Sequence, residues 1–376
     1  MLEDKKRTWA EVKISAIGWN YDEMRAKLPR GCRFMGMVKA DAYGHGAVEI
    51  ARYLERIHCD YLAVACIDEA EELRKAGNKL PILVLGTTNP EFADRVIKLG
   101  VTQTVGSLEA AKEYSSIAGK LGEKMKIHLK LETGMGRLGF NVKNGDVSQA
   151  VEALKLPNFE AEGVFTHFAV SDELCKDDYT RKQFKTFLSA VEKIENASNM
   201  HFAIKHCANS GAMINYPEMY LDMVRPGLAL YGMYPGDEEG GLRLAPAMEI
   251  KSRIIAVSEY EAGDKISYGC TFTADKKMKI AVLPIGYADG LHRVLSGKID
   301  VLIHGQRCRQ IGRICMDMCM VDVTDLPNVA SGDVATIFGH DGEETISVNE
   351  LAEKAGTISY EIVCAVSPRV PRVYIP

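Results

Sequence analysis

A chain of 376 residues, 47% hydrophobic and 26% charged, is long for one hydrophobic core and points to a soluble protein of two domains. A formal net charge of −5 without a basic block excludes nucleic acid as an expected partner, and the lack of any apolar run of about 18 residues excludes a membrane-spanning helix. Ten cysteines, none in a Cys-x-x-Cys pair, predict free reduced thiols, and the opening Met-Leu-Glu-Asp-Lys-Lys-Arg has no apolar signal core, which predicts a cytoplasmic protein.

Residues Thr8–Ser15 alternate through Trp9, Val12 and Ile14 and predict a lone opening strand that pairs with the second domain. Short apolar runs suited to buried strands follow at Arg33–Lys39, Tyr61–Cys66, Ile82–Leu85 and Val101–Val105. They recur at Lys126–Leu131, Ala161–Thr166, Phe202–Cys207 and Met223–Tyr231. Lys39 closes the first run, Gly44-His-Gly46 makes a turn, and Ala47–Leu54 predicts a helix. Glu69–Lys75, Ser107–Lys120 and Tyr179–Glu195 predict further helices, with Asp68 and Ser107 as start signals. Eight strands alternating with helices predict an α/β domain, a closed (β/α)8 TIM-type barrel over residues 1–240. A doubly wound open sheet is the competing arrangement.

Pro235–Gly241 reads as a linker. From Pro246 onward strand follows strand, at Met248–Val257, Lys279–Leu283, Val301–Ile303, Met318–Val323 and Val334–Phe338. With a single helix at Val348–Ala355, residues 241–376 predict a second, mostly β domain at the C-terminus.

The residues suited to chemistry lie at the ends of these strands. Lys39 sits where a strand gives way to a loop leading into a helix, the position at which α/β proteins bind ligands. Partial desolvation there lowers a lysine's pKa and makes its amine a nucleophile, whereas a lysine that only snorkels to solvent is the plainer alternative. The seventh strand ends in His206-Cys-Ala-Asn-Ser210 and the eighth in Arg225-Pro-Gly-Leu228, where barrels often hold phosphate. Ser210 offers a hydroxyl, and Gly227 lets the backbone approach a ligand closely. Arg225 is always charged; an ordinary surface ion pair is its alternative. Arg137, beside Lys130, has a donor fork suited to a carboxylate, and two neighbouring cations would repel. Tyr268, in Ile266-Ser-Tyr-Gly-Cys-Thr-Phe-Thr273, can serve as an acid or base if a cation lies near; a half-buried sheet tyrosine is the alternative. Cys315 and Cys319 lack further ligands at metal spacing, so no metal is expected.

The string Val38-Lys39-Ala40-Asp41-Ala42-Tyr43-Gly44-His45-Gly46 resembles the pyridoxal phosphate lysine motif of the alanine racemases. Lys130-Leu-Glu-Thr-Gly-Met-Gly-Arg137-Leu-Gly-Phe140, Ile285-Gly-Tyr287-Ala-Asp289-Gly290 and Gly312-Arg313-Ile-Cys315-Met316-Asp317 resemble further strings of that family. The resemblance implies a homodimer with shared active sites, using pyridoxal 5'-phosphate to interconvert L- and D-alanine by two-base proton transfer at Cα. The D-alanine would supply cell-wall peptidoglycan. Lys39 would hold the cofactor as a Schiff base and act on one face of Cα, and Tyr268 of the partner subunit on the other. By the same resemblance Tyr43, His167, Asn209, Ser210, Arg225, Gly227, Leu228 and Tyr360 hold the cofactor. Arg225 faces the pyridine nitrogen, with His167 supporting it. Arg137 and the Met316 backbone N–H bind the substrate carboxylate. Lys130, often carbamylated in the family, orients Arg137, and Asp317 shapes the site. Tyr360 narrows the pocket beside the alanine methyl. Ser359 stands where many relatives have Asn, and Leu291-His292 replaces an aromatic-Pro pair. A racemase of serine or another amino acid would keep all these residues. A pyridoxal phosphate-binding carrier would need only the barrel, and a decarboxylase of similar plan would lack the Arg225 arrangement.

Overall fold

The computed structural model describes residues 6–236 and 240–376. Most of the opening segment read for a signal core and residues 237–239 of the expected linker lie outside the described residues. The chain divides into two compact units. One takes Ile17–Ala42 and Ala47–Ala245; the other runs up to Ala16 and takes Tyr43–Gly46 and Pro246–Pro376.

The opening strand β1 is Thr8–Lys13. It is shorter than its alternation predicts, because Ile14–Arg25 is a helix. No Gly or Pro separates the two, so the pattern alone carried the strand too far.

The first unit is built on β2 (Arg33–Met37), β3 (Tyr61–Val64), β4 (Ile82–Val84), β5 (Thr102–Val105) and β6 (Met125–Glu132). It continues with β7 (Phe159–Phe165), β8 (Ile204–His206) and β9 (Met223–Val224). They pair in parallel and in sequence order, and β9 pairs back onto β2. A doubly wound sheet would leave first and last strands apart, so the order selects the barrel. The remaining seam, between β8 and β9, is bridged by Asp222 N–H to the Lys205 carbonyl at 3.1 Å and Arg225 N–H to the Ala208 carbonyl at 2.8 Å. Helices form where amphipathic runs meet caps: Ser107 Oγ accepts from Ala110 N–H at 3.2 Å, opening Leu108–Leu121, which ends at Gly122 with φ +69°. Asp68 does not cap. Its helix, Ile67–Lys75, starts from Cys66, and Asp68 lies in the first turn, paired with Arg95 at 2.7 Å. Among the described residues no helix is long and apolar enough to cross a membrane.

The second unit is a mostly antiparallel sheet in which β1 lies between Met248–Arg253, antiparallel, and Arg372–Ile375, parallel. The run expected as one strand, Met248–Val257, divides into Met248–Arg253 and Ala256–Tyr260. Gln306–Ile311 is a strand the sequence pattern missed, because four of its six residues, Gln-Arg-Cys-Arg-Gln-Ile, are polar and no apolar run marks it. The helix Val348–Ala355 is capped by Ser347, and an unforeseen short helix follows at Ser359–Cys364.

One carboxylate ties this sheet together. Glu249 is 4% exposed and receives Lys13, Lys251 (2.8 Å) and His340 (3.1 Å). Burial alone would raise its pKa; the hydrogen bonds from Lys13 and Lys251 more than reverse that and bring it down to about 2. A carboxyl held below its unfolded value stabilises the fold above pH ~4.5, and that contribution is lost as pH falls towards 2. Glu249→Gln should therefore lower stability at pH 7 by roughly 2–3 kcal/mol, with the gap to wild type closing on acidification. Urea unfolding across pH 3–7 checks it; a constant difference would show that the carboxylate's charge contributes nothing.

Candidate active site

The C-terminal mouth of the barrel is shaped by an unusual backbone segment. β2 stops at Met37, short of the expected Lys39, and Lys39–Tyr43 winds as a left-handed turn. Ala40, Asp41, Ala42 and Tyr43 have φ of 53°, 52°, 53° and 54°. L-residues in this region cost about 1–2 kcal/mol each, so neighbours must hold them there. Glu69 accepts Ala40 N–H and Ala65 N–H, each at 2.6 Å. Asp41 accepts Ala47 N–H at 2.7 Å, and Tyr231 donates to the Met37 carbonyl at 2.7 Å. The turn fixes Lys39 where the strand ends. Gly46 is required: with φ +95°, an added Cβ would lie 1.8 Å from the Tyr374 hydroxyl oxygen of the same unit.

Beneath the mouth lies a buried cluster of cations. Arg225 is 4% exposed. Its Nη1 donates to His206 Nδ1 at 2.9 Å, and its Nη2 to the Thr166 and Cys207 carbonyls at 2.9 and 3.2 Å. His167 Nδ1 is farther, at 3.4 Å, so the sequence reading named the weaker of its two imidazole supports. The nearer support is His206, to which no local feature of the sequence assigns that role. Burial, then the Arg225 charge, holds both imidazoles well below their ordinary pKa, so both are neutral. Lys130, 4% exposed, lies 4.8 Å from the Phe165 ring centre. Burial first, then Arg225 and Arg137, bring its pKa down to about 7. The expected repulsion between Lys130 and Arg137 is present, but Arg225 contributes more. Glu132 accepts the backbone N–H groups of Gly134 and Arg137, which folds the loop carrying Arg137 back over the end of β6.

The ends of β8 and β9 are joined through Ser210. Its Oγ accepts Gly227 N–H at 2.9 Å and Ala229 N–H at 3.3 Å, and Asn209 caps the following turn by accepting Ala212 N–H at 3.0 Å. Leu228 opens a 3-10 turn through Tyr231. Ser210, Gly227 and Leu228 are thus gathered at one place, with Asn209 behind them.

In the second unit the Tyr43 and Tyr360 rings lie 6.0 Å apart. Tyr268 opens a 3-10 turn flanked by Ser267 at φ 68° and Gly269 at φ 74°, and its side chain is 69% exposed. The Arg313 guanidinium packs against Gly269, 3.0 Å from where a Cβ would stand. Met316 is also exposed. The Cys315 and Met316 carbonyls accept the N–H groups of Tyr287 and Ala288, both at 3.0 Å. Asp317 bonds Arg369 at 2.8 Å, and Arg369 also approaches Asp289 at 3.5 Å. Two strings distant in sequence, at 285–290 and 312–317, thereby form one pair of loops.

The family model described as the alanine racemase N-terminal domain matches residues 12–235, and that for the alanine racemase C-terminal domain matches residues 247–374. The chain belongs to the alanine racemase family. A curated alanine racemase of Desulforamulus reducens is 46% identical over 99% of this chain and 100% of its own length. One from Methanococcus maripaludis is 47% identical over 98% of each. Among solved alanine racemases, that of Clostridium difficile 630 superposes with a TM-score of 0.93 at 42% identity, covering 99% of this chain and 96% of that one. The Bacillus anthracis alanine racemase, solved with bound L-Ala-P, gives 0.92 at 35% identity over 99% and 95%.

Proposed function

We propose that this chain interconverts L- and D-alanine, using pyridoxal phosphate, as a cytoplasmic homodimer. The observation that carries the reading is Lys39, held at the end of β2 by the left-handed turn, in a barrel whose core buries the Arg225 cation. The barrel's donor set fits the cofactor: Ser210 Oγ with the N–H groups around Gly227 and Leu228 suits a phosphate, and the Arg225 guanidinium suits a ring nitrogen that only accepts. When bound, pyridoxal phosphate supplies the electron sink that lets the proton at an amino acid's Cα leave.

The chain's own residues do the rest. The Lys39 amine anchors the cofactor and then moves a proton at Cα on one face. Arg225, which cannot give up its charge at working pH, keeps the ring nitrogen unprotonated and so limits side reactions at the ring. Arg137 and the Met316 N–H hold the substrate carboxylate. With its pKa near 7, Lys130 has a large neutral fraction at neutral pH, and a neutral amine adds carbon dioxide to give a carbamate anion and a released proton. That anion would separate the Arg225 and Arg137 cations. A planar centre inverts only if the proton returns from the face opposite to the one it left, so a second base is required. Tyr268 of the partner subunit fills that role, which its 69% exposure within one chain supports.

Incubating the purified protein and cofactor with each L-amino acid in turn, with chiral chromatography of the product, tests the reading. Alanine should give the highest kcat/KM. A higher value for serine or another residue would reassign the substrate, and no D product from any amino acid would overturn the racemase reading.

A further inference from the structure

Arg225 is buried, yet among the described residues no carboxylate touches it; its partners are backbone carbonyls and imidazoles. The contacts nevertheless continue. His206 Nε2 lies 2.9 Å from His128 Nδ1, and His128 Nε2 lies 3.2 Å from Glu162 Oε2. Tyr61 donates to the same oxygen at 2.9 Å and is bonded to Thr102 at 2.7 Å. Both imidazoles are fully buried. Tyr61 and Thr102 are the first residues of β3 and β5, whereas Arg225 follows the last residue of β9. The chain of bonds therefore runs from the catalytic mouth towards the opposite end of the barrel.

The direction of every proton in it is forced by the two ends. An arginine only donates, so His206 Nδ1 must be bare and its Nε2 must carry the hydrogen. That hydrogen needs His128 Nδ1 bare, so His128 also carries its hydrogen on Nε2 and donates to a carboxylate that only accepts. Gly163 is part of the arrangement: a Cβ there would lie 2.7 Å from His128 Cε1, so only glycine leaves room for the ring in this place.

We infer that Glu162 is a remote positioning residue for Arg225, acting through His128 and His206. The relay commits one Nη1 hydrogen and the Nη2 hydrogens to the barrel, leaving Nε–H and the second Nη1–H for a bound group, and places the balancing negative charge at the far end. It rests on the reading of Arg225 as the residue that faces the cofactor ring.

Nitrogen-15 NMR of histidine- and arginine-labelled protein tests the relay without cofactor or substrate. His128 and His206 should each show a protonated Nε2 and a bare Nδ1, and Glu162→Gln, which keeps the shape but not the charge, should shift the Arg225 guanidinium signals. On the loaded enzyme, Glu162→Gln should lower kcat about tenfold with KM changed less than about twofold, the scale of lost carboxylate–histidine support. Glu162→Asp should restore part of that, and Gly163→Ala should reproduce the loss with Glu162 intact. A protonated Nδ1 on either ring, unmoved Arg225 signals, or wild-type kcat in Glu162→Gln would each overturn the inference. So would equal losses in the Gln and Asp variants that track their thermal midpoints, since that pattern is purely structural. A wild-type protein inactive on every amino acid would instead sink the racemase reading, and the NMR result would still decide whether Glu162 acts on Arg225.

Discussion

Lys39→Ala should lose racemisation by about 10³-fold or more, since in the proposed mechanism one substitution removes both the anchoring amine and one of the two proton-transfer groups. Glu69, Asp41 and Tyr231 hold the turn that presents Lys39 by hydrogen bonds that the substitution leaves in place, so the variant should fold. Loaded wild-type protein should absorb in the visible range, and borohydride should fix the cofactor's mass to the peptide containing Lys39. A label found on Lys130, the other lysine of the cluster, or a Lys39→Ala enzyme of undiminished rate, would move the anchoring role elsewhere.

A second large effect is expected from mixing two dead proteins. Lys39→Ala and Tyr268→Phe homodimers should each be nearly inactive. Refolded together in equal amounts, about half of the dimers should be mixed under random pairing. In a mixed dimer one site takes Lys39 from the Tyr268→Phe chain and Tyr268 from the other chain, so it is whole; the second site lacks both groups. About a quarter of wild-type sites should return. If each site drew both groups from one chain, every site would keep its defect, and mixing would restore nothing. Native mass spectrometry should confirm that mixed dimers are present before inactivity is read as a refutation.

The barrel was legible because its strands are buried on every face and so appear as short apolar runs: Ile82, Leu83 and Val84 have no exposure at all. Strand ends were less so. Lys39 reads as the close of a strand, but no apolar pattern announces that Ala40 to Tyr43 turn left-handed; the turn is held by Asp41 together with Glu69 on a later helix and Tyr231 far along the chain. The relay was hidden for a similar reason. His128 and Lys130 are two residues apart on β6 and so share a face, a signal that could have been used. His206 and Glu162 come from other strands, and only the side-by-side pairing of β6, β7 and β8 brings all three together. In the second unit, Gln306–Ile311 escaped because a half-exposed strand of polar residues has no apolar signature. Asp68 illustrates the reverse error, a residue of capping type that lies inside the first turn of a helix starting from Cys66, with its carboxylate paired to Arg95.

The turn at Ala40–Tyr43 carries a consequence in chirality. Its φ values, 52–54°, are close to the mirror image of those of a relaxed right-handed helix. A D-residue would rest in that geometry without the contact between Cβ and the following carbonyl that penalises an L-residue. Glycine would also relax there, yet Ala40 and Ala42 keep their methyl groups. The segment that presents Lys39 thus holds two L-alanines, Ala40 and Ala42, in the backbone conformation natural to D-alanine, the enantiomer the site is proposed to make. Local preference opposes the shape at Ala40, Ala42 and Tyr43, so the lysine's position depends on contacts from outside its own stretch, Glu69 and Tyr231 among them, as well as on Asp41 within it.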